Sequence, residues 1–187
     1  MLHVFSLFCF LFVAYPSLTF AETTLYQVDL IVFTHTDTAR AQWEHTPPTL
    51  SALEINHAIP LQARDAVAAK KTYHLMPQGL SSLSNAWNKL NQQPQYHALL
   101  HYTWLQPSNN QRPVFLSTRL NNGWVVEGTL RVRQSNYYLL DTNLRFSTPN
   151  QKQPAFILAQ KQRLKPGNTY YLDHPQAGIL IQVHRVT

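Results

Sequence analysis

A single cysteine, Cys9, occurs in the 187 residues, and it falls inside an apolar stretch near the start of the chain. Once that stretch is removed no thiol is left, which excludes disulfides and thiolate metal sites and leaves stability to a packed core. Glycine is scarce, with five in the chain, and no glycine-rich phosphate loop or dinucleotide fingerprint is present. No GxSxG, HExxH or kinase signature is found either, so the sequence holds no recognisable catalytic motif. Acids are few, nine in all. A paired-carboxylate glycoside hydrolase would have to draw on Glu44, Glu54, Glu127 or Asp141, scattered over separate segments. Beyond the first 20 residues no run is apolar enough to cross a membrane.

Residues 4–14 are apolar apart from Ser6, and Thr19 and Ala21 are small residues placed for cleavage after Ala21. The run is too short to span a bilayer, so residues 1–21 read as a secretory signal peptide. An uncleaved N-terminal anchor is the alternative, because the n-region offers only the α-amino group and His3. Export places the protein in the periplasm if the source is Gram-negative, and residues 22–187 are expected to form one domain.

Charge is unevenly placed. Residues 1–118 hold six Lys/Arg and six Asp/Glu, whereas 119–187 hold nine Lys/Arg against Glu127, Asp141 and Asp173. A basic surface outside the cytoplasm points to anionic partners such as cell-wall carboxylates, acidic proteins or lipid head groups rather than nucleic acid.

Period-two alternation begins at Leu25 and runs to Phe33, which predicts a strand. Residues 34–76 are irregular, with Pro47, Pro48 and Pro60, and form an excursion from the sheet where a partner could dock. Apolar residues at Leu80, Leu83, Ala86, Trp87 and Leu90 have helical spacing and put Trp87 in the core. Strand alternation returns from Tyr96 to Leu105. It puts His97 and His101 on one face but about 13 Å apart, too far to chelate one ion. Trp124 to Arg133 and Tyr137 to Phe146 form a hairpin, a further strand runs from Ala155 to Leu164, and Ile179 to Val186 closes a meander. The fold class is α+β: a mostly antiparallel sheet of about six strands with one amphipathic helix on it, or that sheet curled into a half-open barrel.

Arg131, Arg133, Arg145, Lys161 and Arg163 alternate with the aliphatic positions of neighbouring strands and so share one cationic face, suited to bidentate pairing with carboxylates. Trp43, in a polar segment, is a candidate for stacking on sugar rings. Near the end, Tyr170, Tyr171, Leu172, Asp173, His174 and Pro175, then Gly178, read as a shaped turn before the last strand. Asp173 beside His174 has the composition of half a catalytic pair, but adjacent residues point apart, so the structural turn is preferred. No cofactor and no metal site is expected.

Four stretches carry a family resemblance. They are Tyr26-Gln27-Val28-Asp29-Leu30-Ile31-Val32-Phe33; the helix from Leu80 to Leu90 with Tyr96, Leu99, His101, Trp104, Gln106 and Pro107; Gly128, Leu130, Val132, Tyr138 and Leu139; and Gln162-Arg163 with Tyr171, Asp173, His174, Pro175 and Gly178. In this order they resemble the CsiV family of periplasmic peptidoglycan-binding proteins linked to cell-shape integrity. Three positions depart from the family pattern: Gln162 replaces one arginine of a pair, Tyr170 stands at a histidine position, and Leu140 stands where histidine often follows Tyr-Leu. The resemblance implies a non-catalytic adaptor that binds peptidoglycan and supports wall synthesis through an outer-membrane lipoprotein activator and its class A penicillin-binding protein. Tyr171, Asp173, His174, Pro175 and Gly178 then serve as a structural signature. A protein-interaction module without wall affinity is the alternative, and a cryptic wall hydrolase is the third reading.

Overall fold

A computed structural model describes residues 24–36, 56–62, 71–117, 120–149 and 155–186. The expected signal peptide, residues 1–21, and most of the 34–76 excursion lie outside these residues. The strands are β1 (Leu25–His35), β2 (Ile59–Pro60), β3 (Tyr96–Pro107), β4 (Val114–Ser117), β5 (Val125–Gln134), β6 (Tyr138–Ser147), β7 (Phe156–Leu164), β8 (Thr169–His174) and β9 (Ala177–Val186), with helix α1 at Ser84–Asn91.

The described strands divide between two sheets. One has the order β3-β1-β9-β8 and the other β2-β4-β5-β6-β7. Every long pairing is antiparallel, and only the two-residue β2 runs parallel to its neighbour. The antiparallel α+β architecture agrees with the sequence reading. The strand count and the split into two sheets go beyond it, and neither sheet closes into a barrel. The meander expectation holds for β5-β6-β7 but not for β9. That strand leaves the meander and pairs with β1 from Leu25↔Val186 to Thr34↔Ala177.

The two sheets face each other across a single core. Tyr26, Val28, Leu30 and Val32 of β1 and Ile179, Ile181 and Val183 of β9 pack in one cluster with Leu130 and Val132 of β5, Leu140, Leu144 and Phe146 of β6, and Leu158 of β7. β6 shows the cause plainly: buried and half-buried residues alternate without a break along its ten positions, one face on the core and one toward solvent. Each fully buried aliphatic or aromatic side chain here contributes about 1.5–3 kcal/mol.

β1 differs, because it is buried on both faces. Its second face carries Ile31 and Phe33 against Leu83 and Leu90, with Ala86, Trp87, Tyr96 and Leu180 around them, so α1 forms a third layer outside the first sheet. Helical spacing in the sequence locates this element, but its first expected residue, Leu80, sits in a 3-10 turn and is exposed. Asp29 holds the turn in place. Its fully buried carboxylate accepts from Gln27 Nε2 (2.9 Å), Thr103 Oγ1 (2.9 Å) and the Ser82 amide (3.3 Å). The Ser82 amide lies in the link between the 3-10 turn and α1, so the buried carboxylate satisfies a backbone N–H there and ties the link to β1.

The β1-β3 register slips between Val32 and Phe33, so Leu99 has no partner and forms a bulge. A bulge inverts the alternation on either side. His97 therefore lies opposite Thr34 on one face and His101 opposite Ile31 on the other, which corrects the expectation that the two histidines share a face. His101 sits under Trp87, with ring centroids 5.2 Å apart.

Residues 169–174, expected to be a turn, form β8, and the reversal is confined to Pro175 and Gln176, with His174 paired to Ala177. The tyrosines alternate inward and outward as in any strand, and the proline ends the pairing.

Candidate functional site

Cross-strand pairing determines which basic side chains meet on the outer face of the five-stranded sheet. β5, β6 and β7 align Glu127 with Arg145 and Ile157, Thr129 with Asn143 and Ala159, Arg131 with Asp141 and Lys161, and Arg133 with Leu139 and Arg163. All of these point away from the core, which takes the alternate residues Leu130, Val132, Leu140, Leu144, Leu158 and Leu164. Arg131, Arg133, Arg145, Lys161 and Arg163 are thus on one face. Trp43 lies outside the described residues.

Two of the five bases are engaged by acids on the neighbouring strand. Arg131 Nη2 donates to Asp141 Oδ2 at 2.6 Å, and Arg145 Nη2 lies 3.2 Å from Glu127 Oε1. These pairs are partly exposed and contribute about 0.2–1 kcal/mol each, so their main effect is to hold two guanidinium groups in fixed positions. Arg163 lies over the ring of Tyr137, 4.6 Å from its centroid. Lys161 and Arg163 are exposed on β7, the outermost strand of this sheet. The Nε atoms of Arg131, Arg133 and Arg145 and the Oδ1 of Asn143 are shielded from solvent without a hydrogen-bond partner.

Asn143 and Tyr137 were not singled out by the sequence reading. Register alone brings them among the arginines, and a polar residue between two arginine-bearing positions of a hairpin was the available signal. Glu127 and Asp141, weighed as hydrolase acids, have their carboxylates turned to Arg145 and Arg131; Glu44 and Glu54 lie outside the described residues.

The C-terminal signature occupies a different place, on the four-stranded sheet. The Tyr171 hydroxyl donates to Asp173 Oδ1 at 2.6 Å, which leaves Asp173 engaged with Tyr171 rather than with His174. Burial, then the hydrogen bond and negative charge of Asp173, push the Tyr171 phenol well above its usual range, so it stays a donor. The His174 ring stacks on Phe156 (4.7 Å, 12°) and its Nδ1 accepts from the Gln176 amide at 3.2 Å. Burial lowers its pKa below the ordinary 6.5. At Gly178 an added Cβ would come within 2.7 Å of Tyr171 Cε2 and 2.9 Å of Phe33 Cε2, so the two rings close over the space that glycine leaves.

Among the described residues no three His, Cys, Asp or Glu side chains are grouped to hold a metal, and no helix is long and apolar enough to cross a membrane.

A family model described as peptidoglycan-binding protein, CsiV, matches residues 3–186, nearly the whole chain. The chain belongs to the CsiV family. No curated protein and no solved structure matches it. The CsiV match spans both sheets, so the basic outer face and the Tyr171–Gly178 corner both lie within the matched residues. The family's description makes this a peptidoglycan-binding protein and gives it a cell-envelope setting.

Proposed function

We propose that the outer face of β5, β6 and β7 is the surface on which this protein holds peptidoglycan, and that it does so in the periplasm without catalysis. The observation that carries this reading is the grouping of Arg133 on β5 with Lys161 and Arg163 on β7, across β6, with no acid among the described residues in salt-bridge contact, beside Arg131 and Arg145, which are held by Asp141 and Glu127. Peptide stems of the wall present free carboxylates, and guanidinium groups fixed on a sheet match them in charge and geometry. The two acids of this face are occupied in ion pairs, which supports holding a ligand rather than hydrolysing it. An adaptor role toward an outer-membrane lipoprotein activator and a class A penicillin-binding protein is part of the same proposal and rests on the family resemblance alone.

Co-sedimentation with purified sacculi over a salt series tests the surface. Retention at low salt that falls as salt rises is expected, because exposed charges are screened beyond about 8 Å at physiological ionic strength. The triple variant R133E/K161E/R163E is expected to lose most of it. Salt-insensitive retention, or full retention by the triple variant, would remove the electrostatic account, and no retention at any salt would remove wall binding altogether.

A further inference from the structure

An aromatic group stands on the other side of the molecule, on the outer face of the four-stranded sheet beside α1. Phe33, His35 and Tyr96 pack mutually edge to face with centroids 5.3–5.6 Å apart, and Tyr171 lies nearly parallel to Phe33 (6.1 Å, 11°). Phe33 is buried, but Tyr171 is 50% exposed. An exposed tyrosine normally sweeps through several rotamers; this one is fixed at its hydroxyl by Asp173, along its ring by Phe33, and from below by the missing side chain of Gly178. A ring immobilised in advance loses little entropy on contact. Asp173 is exposed at its rim and His35 is half-buried nearby, so the flat surface is edged by polar groups.

A purely apolar partner would leave Asp173 unmatched, and an anionic peptide would be repelled by it. A neutral sugar ring satisfies both parts: its C–H face covers the aromatic ring, and its hydroxyl or acetamido N–H groups donate to the carboxylate. We propose that Tyr171 and Asp173, supported by Phe33, His35, Tyr96 and Gly178, form a saccharide subsite for a neutral N-acetylated aminosugar of the glycan strand. The inference rests on the peptidoglycan-binding reading and adds a second contact to it, with different chemistry on the opposite face.

Chitotetraose, a neutral N-acetylglucosamine oligomer, probes this subsite without engaging the basic face. In amide NMR titrations of the purified protein, saturable shifts are expected at residues 171–178 and 33–35. Tyr171→Ala is expected to weaken binding roughly tenfold, and Asp173→Asn and Tyr171→Phe to weaken it less. R133E/K161E/R163E is expected to bind chitotetraose as the parent protein does. Tyr171→Phe keeps the ring and guards against a folding defect in Tyr171→Ala, with thermal unfolding of each variant as the control. Absence of shifts at 171–178, or unchanged affinity in all three single variants, overturns the subsite. Sacculus retention without a chitotetraose response defeats the subsite and leaves wall binding standing. A response at 171–178 that the single variants weaken, without sacculus retention, supports the subsite and defeats the wall-binding reading.

Discussion

The Tyr26 hydroxyl, on one sheet, donates to the carbonyl oxygen of Val132 on the other at 2.7 Å, with both groups buried. Gln106 joins them: its Nε2 donates to the Tyr26 hydroxyl and to the Val132 carbonyl (3.2 Å), while its Oε1 accepts from Trp104 Nε1 (2.9 Å). The core between the sheets is otherwise dominated by apolar side chains, so this network fixes how one sheet is set against the other.

Gln106→Leu leaves the Trp104 indole N–H without its partner and removes one of the two donors to Val132. A loss of about 1–3 kcal/mol is expected, read from the urea midpoint. Burial also pushes the Tyr26 phenol far above its usual value of 10.0. The unfolded chain ionises first as pH rises, so the contribution is full below about pH 10 and is lost above it. Tyr26→Phe should lessen the alkaline fall in melting temperature; an unchanged alkaline limb would contradict the network's role.

Charge on the β5-β6-β7 face makes a prediction of opposite sign to the triple variant. Glu127→Gln with Asp141→Asn releases Arg145 and Arg131 from their ion pairs, so sacculus retention at moderate salt should rise while stability falls by about 0.5–2 kcal/mol. Weaker retention in this double variant would show that the acids position the ligand rather than compete with it.

Two glycines should respond unequally to alanine. Gly128 has φ +146, and an added Cβ would strike the backbone oxygen of Asn143 on the neighbouring strand and come within 3.0 Å of Leu144 Cα. Backbone cannot yield as side chains do, so Gly128→Ala is expected to cost upwards of about 3 kcal/mol. At Gly178 the obstacles are the rings of Phe33 and Tyr171. Displacing them should cost about 1–3 kcal/mol and also disturb residues 171–173. Comparable denaturation midpoints for the two variants would refute the distinction.

His174 gives an acid-side prediction. Its folded pKa lies below 6.5 because it is partly buried, so the unfolded chain takes up the proton first as pH falls. The contribution is full above about pH 6.5 and is lost progressively below it. Melting temperature is expected to fall from pH 7.5 to 5.5 and to fall less in His174→Phe, which keeps the stack on Phe156. Equal slopes would assign the acid sensitivity to another group.

Alternation made β5, β6 and the α1 stripe legible, because each has one face or stripe that must be dry, and β1 legible because Gln27 and Asp29 interrupt its apolar residues although both of its faces are buried. The basic face was legible for the same reason: Arg131 and Arg145 lie between buried residues, and Arg133, Lys161 and Arg163 keep the same outward parity on their strands. Its acids were seen as residues but not as partners, since Arg131–Asp141 and Arg145–Glu127 depend on a hairpin register that turn chemistry sets. The Leu99 bulge left no signature in a strand apolar on both faces, which is why His97 and His101 were placed together. The Phe33–Tyr96–Tyr171 group joins three strands separated in sequence by an excursion and a meander, and periodicity carries no information about such long-range neighbours.

The pairing of the first long strand with the last one imposes an order on how this chain can mature. Until residues 177–186 exist, β1 has no neighbour on its β9 side, and its apolar row from Tyr26 to Val32 lacks Ile179, Ile181 and Val183. A chain emerging from its N-terminus therefore presents an open, hydrophobic strand edge until residues 177–186 have followed it. Such an edge invites mispairing, and contacts this distant in sequence form slowly. Loss of residues 177–186 should leave a chain that cannot complete the four-stranded sheet.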